Sequence, residues 1–214
     1  MSEITKSKEQ LCVWAKSMFD RGLTCGASGN ISLRLSDGGL LVTPTGKSMG
    51  FLDPNEISQF DEAGNLVDGL APTKEMPLHS AFYETRTGTG AVVHLHSTHS
   101  VAASLLPETD PDDVLPPLTA YSVMRVGRVK LLPFFMPGDP DMGNAIKGLA
   151  GKRSAVLLAH HGPVVAGKDL EAAIYSIEEL EETAKLALLT RGMKPKVLDD
   201  QQIGALVRKF DLDY

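Results

Sequence analysis

The sequence predicts a three-layer α/β or α+β fold, and two features carry that prediction. Segments with helical spacing of apolar residues alternate with predicted strands along the chain. The predicted strands are largely joined by short turns, as in antiparallel hairpins. The 214 residues suit one domain spanning residues 1–214, because no repeat or long linker divides them and a chain of this size buries roughly 70% of its unfolded surface.

Helices are predicted where apolar residues recur every three or four positions. The spacing of Leu11 and Met18 marks the first helix, and Asp169 is the predicted N-cap of the longest. Thr73 is the predicted N-cap of another helix, in which Pro77 falls in the first turn or so. The predicted helices cover, approximately, residues 8–21, 73–83, 97–105, 169–191 and 199–210.

Strands are predicted where apolar residues alternate with polar ones or form a short uninterrupted run. Ile31, Leu33 and Leu35 alternate with polar residues, and the turn at Asp37 and Gly38 leads into a return strand. Two further strands flank a turn at residues 61–64. Besides these two, the predicted strands cover, approximately, residues 31–35, 40–43, 91–96, 121–124, 129–132 and 154–160.

Composition argues against several classes of function. The chain carries 21 Lys and Arg against 27 Asp and Glu, a formal net charge of −6, which suits neither nucleic acid nor an anionic membrane as a partner. Cys12 and Cys25 are too few for a disulfide framework. The first twenty residues lack the apolar core of a signal peptide, and no stretch approaches the roughly 20 apolar residues of a membrane span. We therefore expect a cytoplasmic protein.

Two histidines in one predicted strand indicate a metal site. His94 and His96 are separated by one residue, so their imidazoles emerge on the same face of a strand. Apolar neighbours indicate that this strand is buried, and two buried imidazoles on one face need a polar partner. Our hypothesis is that a metal ion is that partner, and the alternative is that the pair is simply polar surface.

A second pair, His160 and His161, closes the predicted strand over residues 154–160. Adjacent residues point to opposite faces of a strand, so at most one of them readily joins His94 and His96, and spacing leaves open which one. Three histidines would leave a catalytic zinc ion with an open position. His99, by contrast, is explained by a capping or surface role, and His79 by ordinary packing.

Two loops have the composition of anion sites. Residues 26–30 offer glycines and short polar side chains, and residues 43–48 add hydroxyls and a lysine. Backbone N–H groups in such loops can cradle an anion. Alone each loop is explained by a plain turn, but two of them beside a histidine site favour a phosphorylated substrate.

Five motifs together resemble the class II aldolase/adducin-head family, whose members include fuculose-phosphate aldolase and ribulose-phosphate 4-epimerase. Their order and separations match the family across nearly the whole chain. The motifs are GASGNISLR at 26–34, VTPTGK at 42–47, PTKE at 72–75, AVVHLHSTH at 91–99 and LLAHHG at 157–162. The resemblance implies a three-layer fold with a central, mostly antiparallel sheet flanked by helices. It also implies a homotetramer with sites near subunit interfaces.

The resemblance implies a zinc ion held by one carboxylate and three imidazoles. Carried over by position, the ligands are Glu75, His94, His96 and, of the adjacent pair, His161. Glu75 would double as the acid/base once substrate displaces it from the metal. The metal would stabilise an enediolate formed when a neighbouring C–C bond breaks, and manganese or cobalt would also suit these ligands.

The resemblance also implies the substrate-binding positions. They correspond to Gly29, Asn30, Thr45, Gly46, Thr73 and Lys74. Lys74 departs from the aldolase, which has a small hydroxyl residue there. Tyr121 aligns with a tyrosine that is a proton donor in the aldolase, and Tyr214 is a looser match to a second tyrosine near the C-terminus.

Two stretches, residues 115–127 and the PGDP of residues 137–140, together with PTKE, resemble the branch that decarboxylates 3-oxo-tetronate 4-phosphates. That reaction releases CO2 and leaves dihydroxyacetone phosphate. Lys74 or Arg125 would supply a cation for the substrate carboxylate. The alternatives are a fuculose-phosphate-type aldolase and a non-catalytic adducin-type interaction module, which has no need of all four metal ligands.

Overall fold

The structure, a computed structural model, describes residues 2–212 and 214, and within them the chain folds around one mixed sheet of eight strands. The strands are β1 (Asn30–Arg34), β2 (Leu40–Val42), β3 (Ser58–Phe60), β4 (Leu66–Asp68), β5 (Ala91–His94), β6 (Lys130–Leu132), β7 (Ala155–Leu158) and β8 (Gly162–Gly167). The α-helices are α1 (Glu3–Asp20), α2 (Met76–Thr85), α3 (Thr98–Ser104), α4 (Pro140–Lys147), α5 (Leu170–Leu189) and α6 (Asp200–Phe210).

The sheet is antiparallel except at one edge. Its strands lie in the order β4-β3-β2-β1-β5-β8-β7-β6, and only the pair β6–β7 is parallel within the described residues. The central strand β5 pairs with β1 on one side, where Asn30 lies opposite His94, and with β8 on the other, where His94 lies opposite Val164. The predicted mostly antiparallel sheet is confirmed.

Helices cover both faces of this sheet and make the three layers that the sequence predicts. Alternate residues of the central strands belong to different cores. Val93 and Val165 pack with α1, α3 and α5, whereas Val92 and Val164 pack with α2 and α4. Within the described residues no helix is both long and apolar enough to cross a membrane.

Three predicted segments differ from the structure. The strand predicted over residues 121–124 is wrong, because Ser122–Val126 form a π-helical turn. The predicted start of α2 at Thr73 is also wrong, because the backbone N–H of Thr73 donates to the carbonyl of Thr43 (3.1 Å) and holds Thr73 outside the helix. The strand predicted over residues 91–96 ends at His94.

Two elements have no counterpart in the sequence prediction. Helix α4 begins directly after the Pro- and Gly-rich break, where the side chain of Asp139 caps the backbone N–H of Asp141 and proline occupies the first turn. Strand β8 follows β7 after a turn of three residues, 159–161. An apolar run interrupted by Gly162 and Pro163 gives neither a helical nor an alternating signal.

A buried carboxylate from α5 supplies the N-terminal cap of α3. Ser97, the residue before α3, makes no side-chain cap hydrogen bond. Instead Glu181 accepts from the backbone N–H groups of His99 (2.9 Å) and Ser100 (2.8 Å), and also from the Ser100 hydroxyl (2.6 Å) and His99 Nδ1 (2.8 Å). This cap fixes the chain immediately after His96.

Replacing Glu181 by alanine should therefore destabilise the protein. The change leaves two buried backbone donors unpaired, and we expect a loss of about 2–4 kcal/mol in the free energy of unfolding. Thermal denaturation would measure it as a fall in Tm of roughly 5–15 °C. Glu182→Ala is the matched control on the exposed face of α5 and should change stability by less than about 0.5 kcal/mol. Equal stabilities of the two variants would contradict the capping role.

Candidate metal centre

Four side chains converge near the end of β5. The possible ligand atoms of Glu75, His94, His96 and His161 all lie within 4.8 Å of one another. The three imidazole rings form a nearly equilateral triangle, with centroids separated by 4.9 Å, 4.8 Å and 4.7 Å. The four residues that the resemblance implies as metal ligands are thus brought together by the fold.

The first two histidines meet because the chain stays extended beyond β5. The backbone N–H of Leu95 donates to the carbonyl of Pro163 (3.2 Å), which keeps the segment alongside the β7–β8 connection. Alternation therefore continues past the last residue of the strand. His94 is fully buried, whereas His96 is partly exposed and lines a cleft.

Of the adjacent histidines, His161 joins the cluster. His160 adopts a left-handed conformation (φ 58°) in the turn between β7 and β8, and its ring lies against Phe134. His161 Nε2 instead lies 3.1 Å from Glu75 Oε1. Gly162 is required at the next position, since a Cβ there would lie 2.1 Å from the carbonyl oxygen of Leu95. The hairpin can therefore rest directly on the chain between His94 and His96.

Glu75 is placed by the loop that precedes α2. Residues 71–73 pair with residues 43–45 through the hydrogen bonds Thr45 N–H to Ala71 O (3.0 Å) and Thr73 N–H to Thr43 O (3.1 Å). Glu75 is the residue immediately before the helix, and its Oε2 accepts from Asn30 Nδ2 at 2.7 Å. The carboxylate is thereby held between β1 and the histidines.

The protonation states of these groups suit a metal ion. Burial lowers the pKa of His94 to about 3 and also lowers the pKa of His96. Burial by itself would raise the pKa of Glu75, but the imidazoles of His161 and His94 and the amide of Asn30 outweigh it and lower the pKa. At pH 7 Glu75 is therefore a carboxylate and His94 and His96 are neutral imidazoles, the forms that ligate metals.

Two buried atoms of the cluster are left for such an ion. His94 Nδ1 donates to the carbonyl of Pro163 (2.9 Å), so Nε2 carries no proton. Among the described residues, neither His94 Nε2 nor Glu75 Oε1 has a hydrogen-bond partner. Leaving buried polar atoms unpaired is costly, and a cation with bonds of about 2.0–2.2 Å to nitrogen and oxygen would satisfy both. The donor set fits a divalent metal.

A cleft of about 180 Å³ opens beside the cluster. Glu75 and His96 form part of its wall, and Pro137 closes another side. The wall also contains every position that the resemblance implies for substrate, namely Gly29, Asn30, Thr45, Gly46, Thr73 and Lys74. Both predicted anion loops therefore face the metal ligands.

Glycine and lysine give this cleft its shape and charge. Gly29 has φ +82°, and a Cβ there would lie 2.9 Å from Met49 Sδ and 3.0 Å from the carbonyl oxygen of His94. Lys47 forms an ion pair with Glu56 (2.7 Å). Lys74 is exposed and has no ion-pair or hydrogen-bond partner among the residues described here. Its charge is available to an anion in the cleft.

Three other predicted residues lie elsewhere in the chain. Tyr121 and Arg125 line a separate depression against Tyr175 on α5, where the Arg125 guanidinium lies between the two tyrosine rings at 5.6 Å and 5.5 Å. Tyr214 packs beside Arg128, whose Cζ is 5.2 Å from its ring centroid. Within one chain, the fold does not bring these residues to the cleft.

The sequence interpretation missed a polar contact behind the site. His79, assigned to ordinary packing, is fully buried, and its ring nitrogens contact Asn30 Oδ1 (2.6 Å) and Ser32 Oγ (2.7 Å). Its position four residues after Glu75 was an available signal, because residues i and i+4 share a helix face. The pairing of Asn30 with that face was not available from sequence.

Comparisons with known proteins indicate one family, which includes relatives with two different activities. A model of the class II aldolase and adducin N-terminal domain matches residues 9–188. A Haemophilus influenzae protein named 3-oxo-tetronate 4-phosphate decarboxylase is 43% identical over 196 residues, covering 92% of this chain and 93% of that protein. An L-fuculose phosphate aldolase of Escherichia coli is 31% identical over 212 residues, covering 97% of this chain and 95% of its own.

The fold is also found among solved structures. The crystal structure of YgbL, a putative aldolase/epimerase/decarboxylase from Escherichia coli, superposes with a TM-score of 0.92. The two chains are 41% identical, and the match covers 96% of this chain and 99% of YgbL.

The geometry makes a specific prediction about the adjacent histidines. His161→Ala should remove a ligand, and we expect metal content to fall at least about tenfold. His160→Asn should retain the metal, because His160 faces away from the cluster and asparagine tolerates its left-handed backbone. Metal analysis of the purified proteins checks both. Loss of metal from the His160 variant with retention in the His161 variant would reverse the assignment.

Proposed function

The chain belongs to the class II aldolase and adducin N-terminal domain family, as the five motifs predicted, and we therefore propose that it is a metal-dependent carboxy-lyase of sugar-acid catabolism. Its substrate is a 3-oxo-tetronate 4-phosphate, and its products are dihydroxyacetone phosphate and CO2. The observation that carries the proposal is a complete set of one carboxylate and three imidazoles beside a cleft whose wall contains both predicted anion loops. The similarity to named decarboxylases supports the choice of reaction.

We propose zinc as the metal, because a mixed set of imidazoles and one carboxylate is typical of zinc sites, although manganese or cobalt would also suit it. Bound by Glu75, His94, His96 and His161, a divalent cation would polarise the substrate ketone and offset the negative charge that develops as the carboxylate leaves. The pKa values lowered by burial keep the imidazoles of His94 and His96 neutral for this role.

The protein's own contribution begins with orientation of the substrate. The phosphate is assigned to the loops that contain Gly29 and Gly46, with the Thr45 and Thr73 positions beside them. Lys74, unpaired at the cleft, is assigned to the substrate carboxylate. The aldolase has a small hydroxyl residue at this position and therefore offers no cation there. Arg125 is less suited within one chain, because it is stacked between two tyrosines elsewhere.

Glu75 is assigned the proton transfer. In the reaction the bond between C1 and C2 breaks, CO2 leaves, and the electron pair remains on C2, which must then gain a proton. The carboxylate of Glu75 lines the cleft, and its Oε1 has no hydrogen-bond partner among the described residues. From that position the carboxylate would take up one proton from water in the open cleft and deliver it to C2, which balances the loss of CO2.

Tyr121 is proposed as a second acid that reaches the cleft from a neighbouring copy. It is 55% exposed and lies in a depression of about 420 Å³ that is separate from the cleft of its own chain. We propose a cytoplasmic homotetramer with sites near subunit interfaces, in which Tyr121 of one copy faces the metal centre of another. Closed symmetric assemblies bring such distant surfaces together.

Two other functions remain as alternatives. A sugar-phosphate aldolase would use the same cluster and loops, and the aldolase similarity at 31% identity supports it less strongly than the 43% identity to a decarboxylase. A non-catalytic adducin-type module has no need of four converging ligands or of an unpaired lysine in the cleft.

The first experiment is a coupled assay for dihydroxyacetone phosphate with 3-oxo-tetronate 4-phosphate. We expect product with an equal amount of CO2, loss of activity after chelation, and recovery when zinc is restored. Glu75→Gln should lower kcat by at least about 100-fold, since it removes the acid/base. Cleavage of fuculose 1-phosphate without decarboxylation would identify the aldolase instead.

Subunit complementation tests the role of Tyr121. Tyr121→Phe and Glu75→Gln should each be nearly inactive alone. Co-expressed in equal amounts, they should recover about a quarter of wild-type activity if each site combines Glu75 of one copy with Tyr121 of another, as random symmetric assembly dictates. No recovery in mixed assemblies of verified composition would place both residues in the same subunit's site or remove Tyr121 from catalysis.

A further inference from the structure

A buried series of hydrogen bonds lies behind the metal centre, where α2 packs on β1. Asn30 and Ser32 alternate on β1 and therefore share the face that α2 covers. Glu75, His79 and Tyr83 recur every four residues and therefore share one side of α2. Four residues along a helix and two residues along a strand span similar distances. The side chains of α2 and β1 therefore meet in order from Tyr83 to Glu75.

Each link in this series is short. Tyr83 Oη lies 2.9 Å from Ser32 Oγ, which lies 2.7 Å from His79 Nδ1. His79 Nε2 lies 2.6 Å from Asn30 Oδ1, and Asn30 Nδ2 donates to Glu75 Oε2 at 2.7 Å. Ser32 and His79 are fully buried, and Asn30 is 5% exposed. Water is therefore not a competing partner for these groups.

The hydrogen-bonding capacity of each group sets the direction of the series. A carboxylate only accepts, so Asn30 presents its NH2 group to Glu75 and its oxygen to His79. An amide oxygen also only accepts, so His79 Nε2 carries the proton. Burial lowers the pKa of His79 to about 4, so the ring is neutral at pH 7 and its Nδ1 accepts from Ser32. Every donor points towards Glu75.

We propose that His79 is a positioning residue for the metal centre and for proton transfer. By donating to the Asn30 oxygen, it fixes the amide so that the NH2 group stays on Glu75 Oε2 while Oε1 remains directed at the histidines. Without that donor, the amide could turn over and place its oxygen against the carboxylate, which would repel Glu75 from its position. The proposal rests on the proposed function, because it assumes that Glu75 binds the metal and moves the proton.

His79 acts only through Asn30. It has no exposed surface and is not part of the cleft wall. It also lies outside the group of residues whose ligand atoms converge. Metal affinity and kcat should therefore depend strongly on His79, and substrate affinity should change only as far as Asn30, itself a predicted substrate position, is displaced.

Two substitutions separate positioning from simple packing. His79→Leu fills the space without a donor, and we expect zinc affinity and kcat each to fall about 10- to 100-fold. His79→Gln should restore most of both, because its amide can donate to Asn30 and accept from Ser32. Zinc titration of the metal-free protein and steady-state kinetics measure these quantities.

Phe82→Leu is the matched control. Phe82 is 1% exposed on the same helix and belongs to the apolar core on that face of the sheet. The substitution should lower stability but leave zinc affinity and kcat close to wild type. Equal losses in Phe82→Leu would overturn the proposal, since they would show that any loosening of α2 disturbs the centre. Wild-type zinc affinity and kcat in a folded His79→Leu protein would also overturn it.

A measurement on the wild-type protein keeps the proposal testable if His79→Leu does not fold. Nitrogen-15 NMR of the histidine rings should show His79 neutral at pH 7 with its proton on Nε2. A proton on Nδ1 would overturn the proposal, because Nε2 could not then hold the amide oxygen. If the wild-type protein binds zinc but does not decarboxylate the substrate, the proposed reaction fails, and the zinc titration alone still decides the role of His79.

Discussion

The pairing of β5 between β1 and β8 is the constraint on which the metal centre depends. It places Asn30 and Val164 on either side of His94, and it brings the turn after β7 against the extended chain that leads to His96. Gly162 permits that approach, because any larger residue would meet the carbonyl of Leu95. The ligands come from segments far apart in the chain, so only the sheet, held by the apolar cores on its two faces, can assemble them.

Burying this cluster of polar side chains without an ion costs desolvation free energy. Three imidazoles and a carboxylate share a region in which His94 has no exposure and Glu75 only 8%. Hydrogen bonds from Asn30 to Glu75 and from His94 to the Pro163 carbonyl compensate part of the desolvation. Glu75 Oε1 and His94 Nε2 still have no hydrogen-bond partner within the part of the chain that the structure describes. Leaving such buried polar atoms unpaired is costly, and the cleft lined by Glu75 and His96 opens beside them.

The sequence predicted the local and periodic features well. Spacing placed His94 and His96 together because alternation is a property of the backbone, and the motifs identified the family because their order survives at modest identity. Asp169 does cap α5, as its position before an apolar repeat indicated, and the predicted helix over residues 199–210 is α6. The predictions failed where contacts between distant segments decide the local structure. Thr73 is drawn out of α2 by its bond to Thr43, and residues 122–126 form a π-helical turn.

By itself, the sequence determined the three-layer class, the candidate ligands and the two candidate anion loops, because these follow from residue chemistry, short-range spacing and motif order. Only the tertiary structure decided that His161 faces the centre from a turn while His160 faces Phe134. It also decided that His79 supports Asn30 and that Tyr121 lies away from the cleft of its own chain. The reason is physical: hydrogen-bond partners and side-chain orientations in turns are set by non-local packing, which a one-dimensional pattern does not contain.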